Sequence, residues 1–218
     1  MPLHALVFDF DGLILDTEWP EYESVRRVWH EHGHELDLAW WRTIVGTADP
    51  VDWVERLEAA VGAPLDHEVV RSRRGAHHRS LLLDQDVLPG VTDLLDAAER
   101  RSIPTAIASS SPTSWLDTHL DRLGLHHRFA VLVGRDQVAR AKPAPDLYLR
   151  ACARLGVEPA RAVALEDSPH GTTAARAAGL RCVVVPNRIT APGPFDHADL
   201  VVGSLADLTL GELESLLG

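Results

Sequence analysis

Lysine is nearly missing from this chain: Lys and Arg together number 21, and all but Lys142 are arginine. Cysteine is scarce as well. The two thiols, Cys152 and Cys182, exclude a disulfide framework, and neither lies in a CxxC-type metal spacing, so both read as buried or inert. An excess of basic charge is absent, since the formal net charge is -11. That balance argues against nucleic acid or an anionic membrane as partner, because both demand basic stripes. No basic leader or cleavable apolar region precedes the first acidic motif, and no uninterrupted apolar stretch could span a bilayer, so the expectation is a cytoplasmic protein. Internal repeats and low-complexity tracts are also lacking.

What is present suffices for a folded enzyme. The chain has 218 residues, of which 45% are hydrophobic. This is enough for one core with a smaller inserted module and is inconsistent with disorder. Residues 4–10 (His-Ala-Leu-Val-Phe-Asp-Phe) form a short apolar run that reads as a buried strand ending at Asp9-Phe10-Asp11-Gly12. Similar runs at 104–108 and 162–165 end in Ser109-Ser110-Ser111 and Glu166-Asp167-Ser168, and further strands are expected at 129–133, 182–185 and 200–202. Helical patterns lie between them, at 91–101, 115–123, 145–155 and 171–178. This alternation implies a parallel sheet with helices on both faces, and ligands then collect beyond the carboxyl ends of the strands.

Residues 17–86 differ in texture. They hold five of the six tryptophans, many charges and no convincing strand. Trp19, Tyr22, Val25, Val28, Trp29 and His32 fall near helical spacing, with Gly33 as the stop, so the segment reads as a helical insertion. The expected division is 1–16 with 87–218 as an α/β catalytic core, and 17–86 as a helical cap. Trp29, Trp40, Trp41 and Trp53 are expected to build the core of that insertion rather than line a pocket.

The chemistry concentrates in four short motifs. In Asp9-Phe10-Asp11-Gly12, two carboxylates at i and i+2 can share a site only if the backbone bends, which Gly12 permits. One carboxylate can then attack phosphorus while the other moves a proton at the ester oxygen. A surface turn is the plainer alternative; a calcium loop is excluded because Phe10 and the apolar flanks are wrong and no later ligands follow. Glu166 and Asp167 would complete an oxygen-rich site suited to Mg²⁺, without which the acids would repel a phosphate dianion. Ser109 at a strand end, beside the amides of a following helix start, offers an anion site, while Ser111 before Pro112 reads as a helix cap. Lys142 sits in Ala141-Lys142-Pro143-Ala144-Pro145, where two prolines limit its range; a compact point charge is required there rather than the planar fork of arginine. The histidines, including His30, His32, His34, His77 and His78, do not share a helical face, read as solvated, and receive no metal.

Together, Phe8-Asp9-Phe10-Asp11-Gly12, Ala108-Ser109-Ser110, Lys142-Pro143 and Leu165-Glu166-Asp167-Ser168 resemble, in this order, the haloacid dehalogenase-like hydrolase superfamily. The nearest likeness is to the β-phosphoglucomutase-like phosphatases with a helical cap. The resemblance implies a Rossmann-like α/β/α core and a Mg²⁺-dependent hydrolysis of a small phosphomonoester, such as a sugar phosphate. It implies Asp9 as nucleophile, Asp11 as general acid/base, Ser109, Ser110 and Lys142 as phosphoryl ligands, and Lys142 as a restraint on Asp9. Asp9, the Asp11 carbonyl and Asp167 would hold the metal, with Glu166 in support. Mutases of this group resemble one another in a cap histidine and in an arginine beyond a glycine. Here those regions read Trp19-Pro20-Glu21-Tyr22 and Gly46-Thr47-Ala48-Asp49. A phosphatase is therefore expected ahead of a hexose-phosphate mutase, and both ahead of an idle phosphate-ligand sensor. Arg71, Arg73, Arg74 and Arg79 are the candidates for a second phosphate contact. A monomer or weak homodimer is expected.

Overall fold

In the computed structural model, residues 2–44, 52–191 and 193–218 are described. The Gly46–Asp49 segment invoked for the mutase comparison lies outside them. By its internal contacts the chain divides into two compact units, Met1–Leu15 with Asp86–Gly218, and Asp16–Gln85.

The first unit is built on six strands, β1 (Ala5–Phe8), β2 (Thr105–Ala108), β3 (Val131–Val133), β4 (Ala162–Glu166), β5 (Arg181–Val184) and β6 (Leu200–Val201). All neighbours pair in parallel, in the order β3-β2-β1-β4-β5-β6. Each of the six expected runs forms a strand: β1, β2, β3 and β6 are shorter than expected, β4 extends to Glu166, and β5 is shifted one residue toward the N-terminus. This is the doubly wound Rossmann-like order, in which the connection reverses direction between β1 and β4 and leaves a crevice at their carboxyl ends. Asp9 directly follows β1, and Glu166 is the last residue of β4.

Strand alternation sorts the two faces. Leu6, Phe8, Ile107, Val163, Leu165 and Val183 point to one side, where they pack with Leu94, Leu95 and Ala98 of α5 (Val91–Arg100), Leu116 and Leu120 of α6 (Thr113–Leu123), and Leu213 of α9 (Leu210–Ser215). Ala5, Val7, Ala106, Ala108, Ala162, Ala164, Cys182 and Val184 point to the other. That face is dominated by small residues, so α7 (Asp146–Leu155) and α8 (Pro169–Ala177) lie close against the strands with Tyr148, Ala151, Ala174 and Ala175 inward. Burying each large apolar side chain contributes about 1.5–3 kcal/mol, which makes the first face the main source of cohesion.

The second unit is helical, with α1 (Glu18–Glu31), α2 (Leu38–Ile44), α3 (Trp53–Val61) and α4 (His67–Leu83). Asp52 caps α3 through the amide of Val54, and Asp66 caps α4 through the amides of Glu68 and Val69. Tyr22, Val25, Val28, Trp29, Leu36, Trp41, Val54, Leu57, Val70 and Leu82 are buried in it. Trp29 and Trp41 are thus core residues of this unit, as expected, whereas Trp40 and Trp53 are half-buried. His77 and His78 are not simply solvated: His77 lies 2.8 Å from Glu31 and His78 3.2 Å from Glu21. No described helix is long and apolar enough to cross a membrane.

Candidate active site

The carboxylates of Asp9, Glu166 and Asp167 each place an oxygen within 4.8 Å of the others, and all three residues are buried. They meet because β1 and β4 are hydrogen-bonded neighbours whose chains end together; the Asp9 amide donates to the Leu165 carbonyl at 2.8 Å. Gly12 makes the turn possible. Its φ is +78°, and a Cβ there would stand 2.4 Å from an Asp167 carboxylate oxygen, so both the conformation and the close approach demand glycine.

Lys142 reaches into this cluster, its ammonium 2.7 Å from Asp9 Oδ1 and 2.6 Å from Glu166 Oε1, with only 4% of its side chain exposed. Two of the three clustered carboxylates therefore share one ammonium. Burial, opposed by Lys142 and aided by the charges of Glu166 and Asp11, pushes the Asp9 carboxyl up to about 7. Burial alone would lower the Lys142 pKa, but Asp9 and Glu166 outweigh it and raise it above the ordinary lysine value. Oxygen-only donors with surplus negative charge are what a hard divalent cation such as Mg²⁺ accepts, so the residues present fit that ion.

Glu166 is held on every side. Its Oε1 accepts from Lys142 and, at 2.5 Å, from the Tyr148 hydroxyl, while its Oε2 accepts from the Asp167 amide and the Ser168 hydroxyl. A Cβ on Gly171 would fall on the Glu166 carboxylate itself. Both Glu166 oxygens are thus engaged by donors of the protein itself. Asn187 does the same for Asp167: its side-chain amide donates to Asp167 Oδ2 at 2.7 Å, while its own carbonyl accepts from the amides of Ile189 and Thr190.

The Asp11 carboxylate is not one of the three clustered acids. It is turned to the β2–α6 connection, where Oδ2 accepts from Ser109 Oγ at 3.1 Å and Ser111 Oγ at 2.7 Å, and Oδ1 accepts from Trp115 Nε1 at 3.0 Å. Two expectations need correction here. Ser111 does not cap α6: Pro112 occupies the cap position without a side-chain bond, and the Ser111 hydroxyl is spent on a carboxylate instead. The start of α6 is also less open to an anion than its sequence implies, because the Thr113 amide donates to Asp136 and the Ser111 amide to Ser109 Oγ. Ser109 is buried beside Asp11, and Ser110 is exposed next to it.

Sequence reasoning missed Trp115, Tyr148 and Asn187. Asn187 had a usable signal, since it follows the apolar run of β5 as the other site residues follow theirs. In the helical unit Arg71 pairs with Asp52, Arg73 with Glu31 and Arg74 with Glu21, so three of the four candidate phosphate contacts are engaged by carboxylates of their own unit.

Known proteins agree with this geometry. Residues 3–179 match the family model of haloacid dehalogenase-like hydrolases. The chain is 40% identical to the YhcW protein of Bacillus subtilis over 97% of its own length and 96% of that protein's. It is 35% identical to the fructose-1-phosphate phosphatase YqaB of Escherichia coli, over 83% of this chain and 95% of that one. The crystal structure of a family hydrolase from Deinococcus radiodurans with bound phosphate and sodium superimposes with a TM-score of 0.82 at 27% identity, covering 99% of this chain and 97% of the other. The fold is shared with a β-phosphoglucomutase of Clostridium difficile, with a TM-score of 0.73 at 23% identity over 99% of this chain and 97% of the other. With its four motifs gathered at one sheet edge, the chain belongs to the haloacid dehalogenase-like hydrolase family, as a phosphoric monoester hydrolase.

Proposed function

We propose that this enzyme is a Mg²⁺-dependent phosphatase that cleaves a small sugar phosphate through an aspartyl-phosphate on Asp9. The carrying observation is the buried Asp9 carboxylate beside Lys142, Glu166 and Asp167 at the strand-order reversal. When bound, Mg²⁺ supplies neutralisation of the phosphoryl oxygens and fixes their orientation, held by Asp9, the Asp11 carbonyl and Asp167 with Glu166 behind them. An Asp9 oxygen attacks phosphorus and the P–O bond to the sugar breaks. Asp11 delivers a proton to the departing sugar oxygen. Asp11 then takes a proton from water as it attacks the acyl phosphate, releasing inorganic phosphate and restoring Asp9. Lys142, Ser109 and Ser110 bind the phosphoryl oxygens in transit. The helical unit serves as the cap that excludes bulk water and reads the sugar.

Sugar phosphate is favoured because a relative of 35% identity is named for fructose 1-phosphate. Water is favoured as final acceptor because the positions of the mutase histidine and arginine carry other residues in this sequence. Phosphate release from a panel of sugar phosphates, measured with and without Mg²⁺ for wild type and Asp9→Asn, tests this. Release by wild type with Mg²⁺ and a loss of at least about 10³-fold in the variant are expected for removal of a covalent nucleophile. Equal release by both proteins contradicts the assignment, and isomer interconversion without net phosphate release identifies a mutase instead.

A further inference from the structure

Trp115 stands apart from the other tryptophans, all of which lie in the helical segment. It sits in the first turn of α6, and its ring lies 4.2 Å from that of His119 one turn later, inclined at 59°. The buried His119 ring is in turn 6.3 Å from that of Phe10, the residue between Asp9 and Asp11. The indole is therefore packed on the His119 ring, and its one polar atom points at Asp11 Oδ1. A carboxylate next to a glycine turn has two soft torsions. Here both oxygens are held: Oδ1 by the indole, Oδ2 by the hydroxyls of Ser111 and Ser109.

We propose that Trp115, opposed by Ser111, is a positioning residue that fixes the Asp11 carboxylate for proton transfer to and from the reacting oxygen. The donor inventory gives the arrangement a direction. An indole N–H can only donate, so Oδ1 stays an acceptor while Trp115 holds it; a hydroxyl can donate or accept, so Oδ2 is the oxygen that can carry the proton. Trp115 donates to the Asp11 carboxylate and not to the reacting phosphoryl group. It acts through Asp11.

This inference rests on the acid/base reading of Asp11, and the test separates the two. kcat/KM reports the first phosphoryl transfer, so it is measured on two leaving groups: the alkyl phosphate cleaved fastest in the panel above, whose oxygen needs a proton, and 4-nitrophenyl phosphate, whose oxygen leaves without one. Trp115→Phe removes the N–H and keeps an aromatic ring. Placing benzothienylalanine at position 115 replaces only the N–H by sulfur, and so covers the case in which the smaller ring disturbs folding. For both, kcat/KM on the alkyl phosphate is expected to fall about 10-fold or more, a part of the 10²–10⁴ that acid catalysis supplies, with a change of less than about 3-fold on the aryl phosphate. Ser111→Ala should show the same selective loss to a smaller degree. Equal losses on both substrates, or a benzothienyl protein indistinguishable from wild type, would reduce Trp115 to packing and overturn the proposal. Asp11→Asn decides the parent reading: if it keeps full activity on the alkyl phosphate, the acid/base assignment fails, whereas an inactive Asp11→Asn beside fully active Trp115 variants sinks the positioning role alone.

Discussion

The two units satisfy buried polarity to different degrees. In the α/β unit the buried charges answer one another: Lys142 is shared by Asp9 and Glu166, Tyr148 donates to Glu166, and Asn187 to Asp167. In the helical unit Trp29 Nε1, Trp41 Nε1 and Arg74 Nε are buried with no hydrogen-bond partner among the described residues, while the ion pairs of Glu21, Glu31 and Asp52 sit toward its surface. A satisfied network in low dielectric specifies one geometry, and an unpaired buried donor costs about 1–3 kcal/mol. The first unit is thus organised around chemistry, with His119 Nδ1 its one buried orphan among the described residues, and the second is held together by apolar packing that leaves several donors idle.

The comparison is broken most sharply at Lys142. Lys142→Met keeps the stem and removes the ammonium, leaving Asp9 and Glu166 to repel each other in a buried site. Losing one partner of a buried ion pair should destabilise the protein by about 3–5 kcal/mol, read by urea unfolding, and activity should fall by at least about 10². Near-normal stability would mean that the network is less tightly coupled than its distances suggest.

A metal titration sharpens it next. The Asp9 carboxyl titrates at about 7 in the fold against an ordinary 3.8, so the metal-free folded protein holds a proton that the unfolded chain has released. The stability from this group is complete below the unfolded value and is lost as pH rises through 7. A cation competes for the same oxygens, so the rise in Tm produced by Mg²⁺ should be larger at pH 8 than at pH 5.5. A shift independent of pH would detach Asp9 from the metal.

The smallest effect is expected in the helical unit. Trp41→Phe deletes a buried N–H that has no hydrogen-bond partner among the described residues, along with some ring volume, and the two changes offset each other. Stability should stay within about 1 kcal/mol of wild type. A loss above about 2 kcal/mol would show that this donor has a partner after all.

The same contrast explains what could be read in the sequence. The six strands were legible because each apolar run ends in polar residues, and a parallel sheet aligns those ends; Asp9, Glu166 and Asp167 meet for that reason, while Lys142 reaches them from the connection between β3 and α7. Trp115 was not legible, since its partner Asp11 lies 104 residues away and nothing local marks an indole as a donor to a carboxylate. Ser111 was misread because Ser-Pro fits a helix cap so well locally, and a distant acid claimed its hydroxyl. Tyr148 lies within the expected helix 145–155 without any local mark of a site residue, and its hydroxyl meets Glu166 only because α7 packs against the small-residue face of the sheet. His77 and His78 were read as solvated because the acids they approach are on another helix.

The central claim is covalent attack by Asp9, and its most direct test is to quench the enzyme in acid during turnover of a sugar phosphate carrying a labelled phosphoryl group, then map the label by peptide mass spectrometry. The account predicts label on Asp9, dependent on Mg²⁺ and absent from Asp9→Asn. Turnover with no labelled aspartate, or label that persists in Asp9→Asn, would contradict it.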